Sequence, residues 1–127
     1  MSKQKRVVIT GMGVLAPNGK TLDEFWQANE KGISGIGRLT RFDDKLVKVN
    51  IAGEVKEFDP EAYMLPAVYR KIDRFAQFGV AAAKMAIEAA GINFENSTGE
   101  KTGVIIGTGL GGEVTVAATK KKEPKAA

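Results

Sequence analysis

Gly103-Val104-Ile105-Ile106-Gly107-Thr108-Gly109-Leu110-Gly111-Gly112 decides how this chain folds. The run from Thr102 to Ile106 is continuously apolar or β-branched rather than alternating, the pattern of a strand covered on both faces. It ends in a loop with glycine at four of six positions, where the backbone can turn sharply and approach other groups without a Cβ. Arg6-Val7-Val8-Ile9-Thr10 followed by Gly11-Met12-Gly13 repeats the arrangement near the start of the chain. Two such strands, each released by glycine, predict an α/β fold.

Helices are predicted between them. Thr21-Leu22-Asp23-Glu24 fits a capping box, in which the Thr21 hydroxyl accepts from the Glu24 amide and the Glu24 carboxylate reaches back. Gly32 supplies a left-handed stop, and the helix from Leu22 to Lys31 is expected to bury Leu22, Phe25, Trp26 and Asn29. Residues 32–37 read as a glycine-punctuated loop, and residues 47–55 as a strand pair or extended segment. Asp59-Pro60 opens a short turn of helix. Pro66 opens a long helix to Ala90, because Val68, Ile72, Phe75, Gly79, Ala82, Ala86 and Ala89 recur at steps of four and three. From Gly79 onward that stripe is glycine and alanine, so another element can pack against it at short range. Gly91 ends the helix. No internal repeat is present.

Composition narrows the function classes. With 127 residues, 43% apolar and 27% charged, the chain matches one soluble domain able to bury a core. There is no cysteine and no histidine, which excludes disulfides, a thiol nucleophile and any zinc site except one built from carboxylates. No cofactor and no metal are therefore expected. Most of the formal charge of +4 comes from Lys120, Lys121, Lys122 and Lys125 set against Glu123, a pattern of a solvated basic end; nucleic acid is not expected as a partner. Lys3, Lys5 and Arg6 before Val7–Ala16 imitate a secretory signal, but Thr10, Gly11 and Gly13 interrupt the apolar run and no cleavage pattern closes it. No apolar stretch is long enough to span a bilayer. The expected location is the cytoplasm, without membrane attachment.

Both glycine segments satisfy dinucleotide fingerprints, G-x-G-x-x-G at Gly107–Gly112 and G-x-G-x-x-A at Gly11–Ala16. A dinucleotide site also needs a helix beginning inside the loop and an acidic residue after the next strand. Pro17-Asn18-Gly19 intervenes after the first loop, and little chain follows the second. A small nucleotide-binding module using residues 107–112 stands as the alternative reading, beside a non-catalytic protein that uses its basic end on an acidic partner.

A further reading comes from order and spacing. RVVITGMGVLAPNG, FW, GISGIGRLTRFD, IAGEVKEFDPEAY, RKIDRFAQFGVAAAKMAIEAAG and GVIIGTGLGG, in that sequence, resemble the N-terminal region of a β-ketoacyl-acyl-carrier-protein synthase of the elongating, type II branch. The resemblance implies a partial thiolase-like fold with a mixed sheet, in which Val7–Thr10 and Gly103–Ile106 are neighbouring core strands and the 66–90 helix is long and buried. It implies the decarboxylative Claisen condensation of fatty-acid chain elongation, carried out by a cysteine and two histidines. In the family these follow the matched region, so no catalytic residue is assigned here and this chain alone is expected to be inactive.

The resemblance also implies contacts. The loop Gly107, Thr108, Gly109, Leu110, Gly111 and Gly112 borders the family's acyl pocket near its dimer interface, with Leu110 at the position that limits chain entry. Arg70 and Lys71 match basic positions that face the acyl carrier protein. Arg74, one turn on, falls on a similar side of the helix, whereas Ala67 stands where the family usually has a basic residue. The implied partners are an acyl carrier protein and a second copy or a completing subunit. Residues 1–112 are read as the N-terminal part of the synthase domain, and residues 113–127 as a divergent, disordered basic tail. A strand of this kind, left without neighbours, has exposed edges. That leaves a truncated fragment, the product of a disrupted gene, or one part of a split enzyme, with truncation favoured.

Overall fold

The computed structural model describes residues 5–41, 48–96 and 99–112. The lysine-rich run and the predicted 113–127 tail lie outside these. The chain divides into two compact units, Met1–Phe58 with Ala82–Ile92, and Asp59–Ala81 with Asn93–Ala127.

In the first unit, helix α1 spans Leu22–Glu30. Its N-cap forms as the sequence predicts, with the Glu24 amide donating to Thr21 Oγ1 at 3.2 Å. The reciprocal bond differs by one residue: the Glu24 carboxylate accepts from the Lys20 amide at 2.8 Å. At the other end Gly32 has φ +63. The Ile33 amide donates to the Ala28 carbonyl and the Gly32 amide to that of Asn29, the paired bonds of a Schellman stop. Among the four side chains expected to be buried on this helix, Trp26 is 62% exposed and Leu22 39% exposed. The buried position is Ala28, because the helix is covered on its Phe25–Ala28 side only.

Strand β1 (Ile36–Arg38) pairs antiparallel with β2 (Ile51–Gly53), Ile36 opposite Gly53 and Arg38 opposite Ile51. The Leu39 amide extends the ladder to the Asn50 carbonyl. The first strand thus begins inside the segment read as a loop and runs one residue past it, because its partner comes from residues 47–55 and two glycines obscure its pattern. Glu54 fastens the hairpin's far end: its carboxylate accepts from the Thr40 amide, the Thr40 hydroxyl at 2.7 Å and the Arg41 amide at 3.0 Å.

The predicted 66–90 helix is two helices. Helix α2 (Pro66–Tyr69) stops at Arg70, and α3 runs from Arg74 to Ala90. The Gln77 side-chain amide donates to the Tyr69 and Ile72 carbonyls at 2.9 and 3.2 Å, satisfying acceptors that a continuous helix would have paired internally. Apolar periodicity passes through the break unaltered, so it carries no warning; Asp73, a favoured N-cap type, is the available signal. Helix α3 ends at Gly91, φ +63, with a second Schellman pair, Ile92 to Ile87 and Gly91 to Glu88. The helix is not wholly buried: only Ala81 is fully enclosed, and Phe75 is 41% exposed.

Close packing on the small-residue stripe is present in the first unit. A Cβ at Gly11 would collide with the Ala86 carbonyl, and one at Gly13 with the Ala82 carbonyl and, at 2.8 Å, with the Met85 Cβ. The two β-branched runs are not strands, however. Among the described residues the sheet is the two-stranded antiparallel one, with an isolated bridge between Ala16 and Gly19. Val7, Val8 and Ile9 are 94%, 66% and 82% exposed, and Val104, Ile105 and Ile106 are 81%, 99% and 63% exposed. A continuous apolar run specifies a covered strand only where covering layers exist; here Ile106 touches α3 beside Gly79, yet all six side chains stay largely exposed.

Candidate functional site

Arg70, Lys71, Arg74 and Gly107–Gly112 all belong to the second unit. Its framework is α2, the break at residues 70–73, the first turns of α3 and the glycine loop. A 3-10 turn at Pro60–Ala62, N-capped by the Asp59 carboxylate, leads into α2. The Tyr69 hydroxyl donates to Glu61 at 2.8 Å, tying the two together.

The glycine loop rests on the start of α3. Gly111 has φ +43, and a Cβ there would lie 2.9 Å from the Phe75 ring; Gly112 has φ +71, and a Cβ there would lie 2.7 Å from Asp73 Oδ2. Both positions therefore require glycine for conformation and for space. At Gly107 and Gly109 a Cβ would meet nothing within 4 Å, and neither has a positive φ. Leu110, the expected limit on chain entry, is 79% exposed at the tip. Phe75 and Asp73 seat the loop; the sequence offers Phe75 only as a core position.

The three basic residues do not form one helical face. Arg70 and Lys71 are exposed at the break, with the Arg70 guanidinium 6.0 Å from the Tyr69 ring centroid. Arg74 is half-buried and lies over the Phe78 ring at 5.0 Å. The interruption of the helix separates Arg74 from the turn expected to align it with Arg70. What the structure does bring together is the end of the glycine loop and the first turn of α3, within one unit.

Elsewhere, an open hollow of about 680 Å³ in the first unit lies between the Ala16–Lys20 turn, α1 and the hairpin, and Lys20 bridges to Glu57 there at 3.4 Å. Ala16, at the end of the first glycine segment, lines it, whereas Arg70, Lys71, Arg74 and Gly107–Gly112 do not. The first glycine segment is not followed directly by a helix: Ala16–Gly19 closes a turn, and α1 begins only at Leu22. That arrangement does not offer a helix N-terminus to a pyrophosphate at Gly11–Gly13. Among the described residues no three acidic side chains converge as a metal site, and no helix is long and apolar enough to cross a membrane.

Residues 4–127 match the family described as "Beta-ketoacyl synthase, N-terminal domain", a range that takes in Glu113–Ala127 as well. The chain is 41% identical over 115 residues to a "3-oxoacyl-[acyl-carrier-protein] synthase 2" of Staphylococcus aureus, covering 91% of this chain and 28% of that relative. It is 44% identical over 112 residues to the protein of the same name from Vibrio cholerae serotype O1, covering 88% of this chain and 27% of the relative. Among solved structures, "The ishigamide ketosynthase/chain length factor" is similar with a TM-score of 0.64 and 34% identity, over 70% of this chain and 22% of the other. The chain thus spans just over a quarter of the length of the curated relatives it matches.

Proposed function

This chain belongs to the β-ketoacyl synthase family, matched in its N-terminal domain, and on that footing we propose that it serves as the N-terminal segment of an enzyme that elongates acyl chains on a carrier protein. The observation that carries the reading is the family match over residues 4–127, both glycine segments included, together with 41% identity over 91% of the chain to one relative. In the reaction, a cysteine thiolate takes the acyl group from its carrier thioester and releases the carrier thiol. Malonyl carrier then loses carbon dioxide, and its enolate carbon attacks the acyl thioester and expels the cysteine thiolate. Two histidines donate hydrogen bonds to the oxygen that becomes negative. This sequence holds neither residue type, so the thiolate and imidazoles lie outside these 127 residues.

Its own contribution is positioning. The loop Gly107–Gly112 borders the acyl chain's path, held against α3 by Gly111 and Gly112, with Leu110 limiting depth. Arg70 and Lys71 meet the acidic carrier protein, and Arg74 supports that surface from its seat on Phe78. In the assembled enzyme, Val7–Thr10 and Gly103–Ile106 become core strands of a thiolase-type mixed sheet, completed by a second copy or another subunit. These assignments rest on the family resemblance together with the glycine requirements and exposures described above.

The test is a chimera in which this chain replaces the matched 115 residues of the S. aureus relative. Condensation by the chimera is the expected outcome. Reversing Arg70 and Lys71 to glutamate should raise KM for the acyl carrier about tenfold, equivalent to ~1.4 kcal/mol, with kcat little changed. Leu110→Trp should shorten the acyl chains accepted. A folded chimera without condensation, or saturable dinucleotide binding by this chain, would overturn the proposal.

A further inference from the structure

Three hydrogen bonds reach the break between α2 and α3 from a single residue. The Gln77 side-chain amide donates to the Tyr69 carbonyl at 2.9 Å and to the Ile72 carbonyl at 3.2 Å, and its main-chain amide donates to the Asp73 carbonyl at 3.0 Å. The two carbonyls held by the side chain bracket Arg70 and Lys71, the exposed basic pair. All of these residues lie in one unit.

A primary amide has two N–H donors, and here both are spent on main-chain acceptors. Both bonds are part-buried, where a carbonyl left without a donor is costly. In a continuous helix the Tyr69 carbonyl would accept from the Asp73 amide, and the Ile72 carbonyl from the Ala76 amide. Such a helix would bring Arg70 and Arg74 to one face and turn Lys71 about 100° away from them. In the broken form Arg70 and Lys71 are both exposed just past the end of α2, their amides donating to the Pro66 and Val68 carbonyls, while Arg74 is half-buried over Phe78. Gln77 therefore stabilises one of two presentations of the same charges. A methionine of similar length has no donor for either carbonyl, and a glutamate only accepts.

We infer that Gln77 is a positioning residue for recognition of the acidic carrier, its side-chain amide fixing both ends of the Arg70–Lys71 pair so that the two charges face the partner together. The inference rests on the proposed function and deepens it by naming the residue that sets the geometry of the carrier contact. Gln77 acts through Arg70 and Lys71 and does not itself touch the carrier.

The experiment titrates acyl carrier protein onto the full chain and measures Kd. Gln77→Met should weaken binding about threefold or more, through loss of both bonds. Arg70→Glu with Lys71→Glu should weaken it about tenfold. Adding Gln77→Met to that charge-reversed pair should change nothing further, because the geometry being lost no longer serves the contact. Amide exchange at Arg70 and Lys71 should quicken in Gln77→Met, while exchange at residues 81–87 of α3 stays as it was. Gln77→Asn keeps the amide on a side chain one carbon shorter, so it should hold one carbonyl and give an intermediate loss; it carries the same test if the methionine variant does not fold. Unchanged binding by the Gln77 variants, while the charge reversals weaken it, would overturn the inference and leave the proposed carrier contact standing. A loss of equal size on the charge-reversed chain would also overturn it, by showing an effect that does not pass through Arg70 and Lys71. Charge reversals without effect would strike the proposed carrier contact itself, and this inference with it.

Discussion

At the level of single residues, the glycines separate into those that are required and those that are not. Gly13 faces the Ala82 carbonyl and the Met85 Cβ, and Gly111 faces the Phe75 ring at positive φ. Replacing either with alanine forces the backbone away from its neighbour, at about 1–3 kcal/mol. Gly109 and Gly37 have open space and no positive φ, so alanine there is neutral or slightly stabilising through the unfolded chain. Thermal unfolding of this chain should show lowered midpoints for Gly13→Ala and Gly111→Ala, and unchanged ones for Gly109→Ala and Gly37→Ala. Equal effects at Gly109 and Gly111 would mean that the loop is not seated on Phe75. The distinction is not legible in the sequence, because a glycine motif records permission for close approach and not which neighbour uses it.

At the level of elements, the helix ends are legible in the sequence and the helix middle is not. Thr21, Gly32 and Gly91 signal stops and starts through bonds made within a turn, which sequence spacing specifies. The break at residues 70–73 depends on Gln77 reaching back to two carbonyls, a side-chain choice that periodicity does not encode. The hairpin depends likewise on Glu54, whose three donors come from Thr40 and Arg41 across the connection. Its carboxyl is held below the ordinary 4.5, first by the Thr40 hydroxyl, then by the Thr40 amide, against a smaller opposing effect of desolvation; the Arg41 amide and the Lys56 charge add to the lowering. A carboxyl with a depressed folded pKa contributes stability above its unfolded value, and that contribution is lost as pH falls through the folded one. Amide exchange at Thr40 and Arg41, corrected for intrinsic rate, should therefore lose protection on acidification below about 4.5. Glu54→Gln should show weaker protection at neutral pH and no such acid step. An unchanged acid step in Glu54→Gln would assign the titration to another group.

At the level of the whole chain, composition and order identify the family, while the state of the two β-branched runs depends on something no single sequence contains. Arg6–Thr10 and Thr102–Ile106 have the apolar content of core strands, yet a core strand is a property of its surroundings, and here Ile105 is 99% exposed. Among the described residues the enclosed apolar positions are Ala28 and Ala81, neither of them on the predicted strands and neither large enough to anchor a core. This has a measurable thermodynamic consequence. Because the urea m-value scales with the area exposed on unfolding, the chain by itself, with Val7–Ile9 and Val104–Ile106 already in water, should show an m-value below that of a compact domain of equal length. It should also bind a hydrophobic dye before any denaturant is added, since the β-branched runs are already in water. A full-sized m-value and no dye binding would mean that Val7–Ile9 and Val104–Ile106 are covered within the chain.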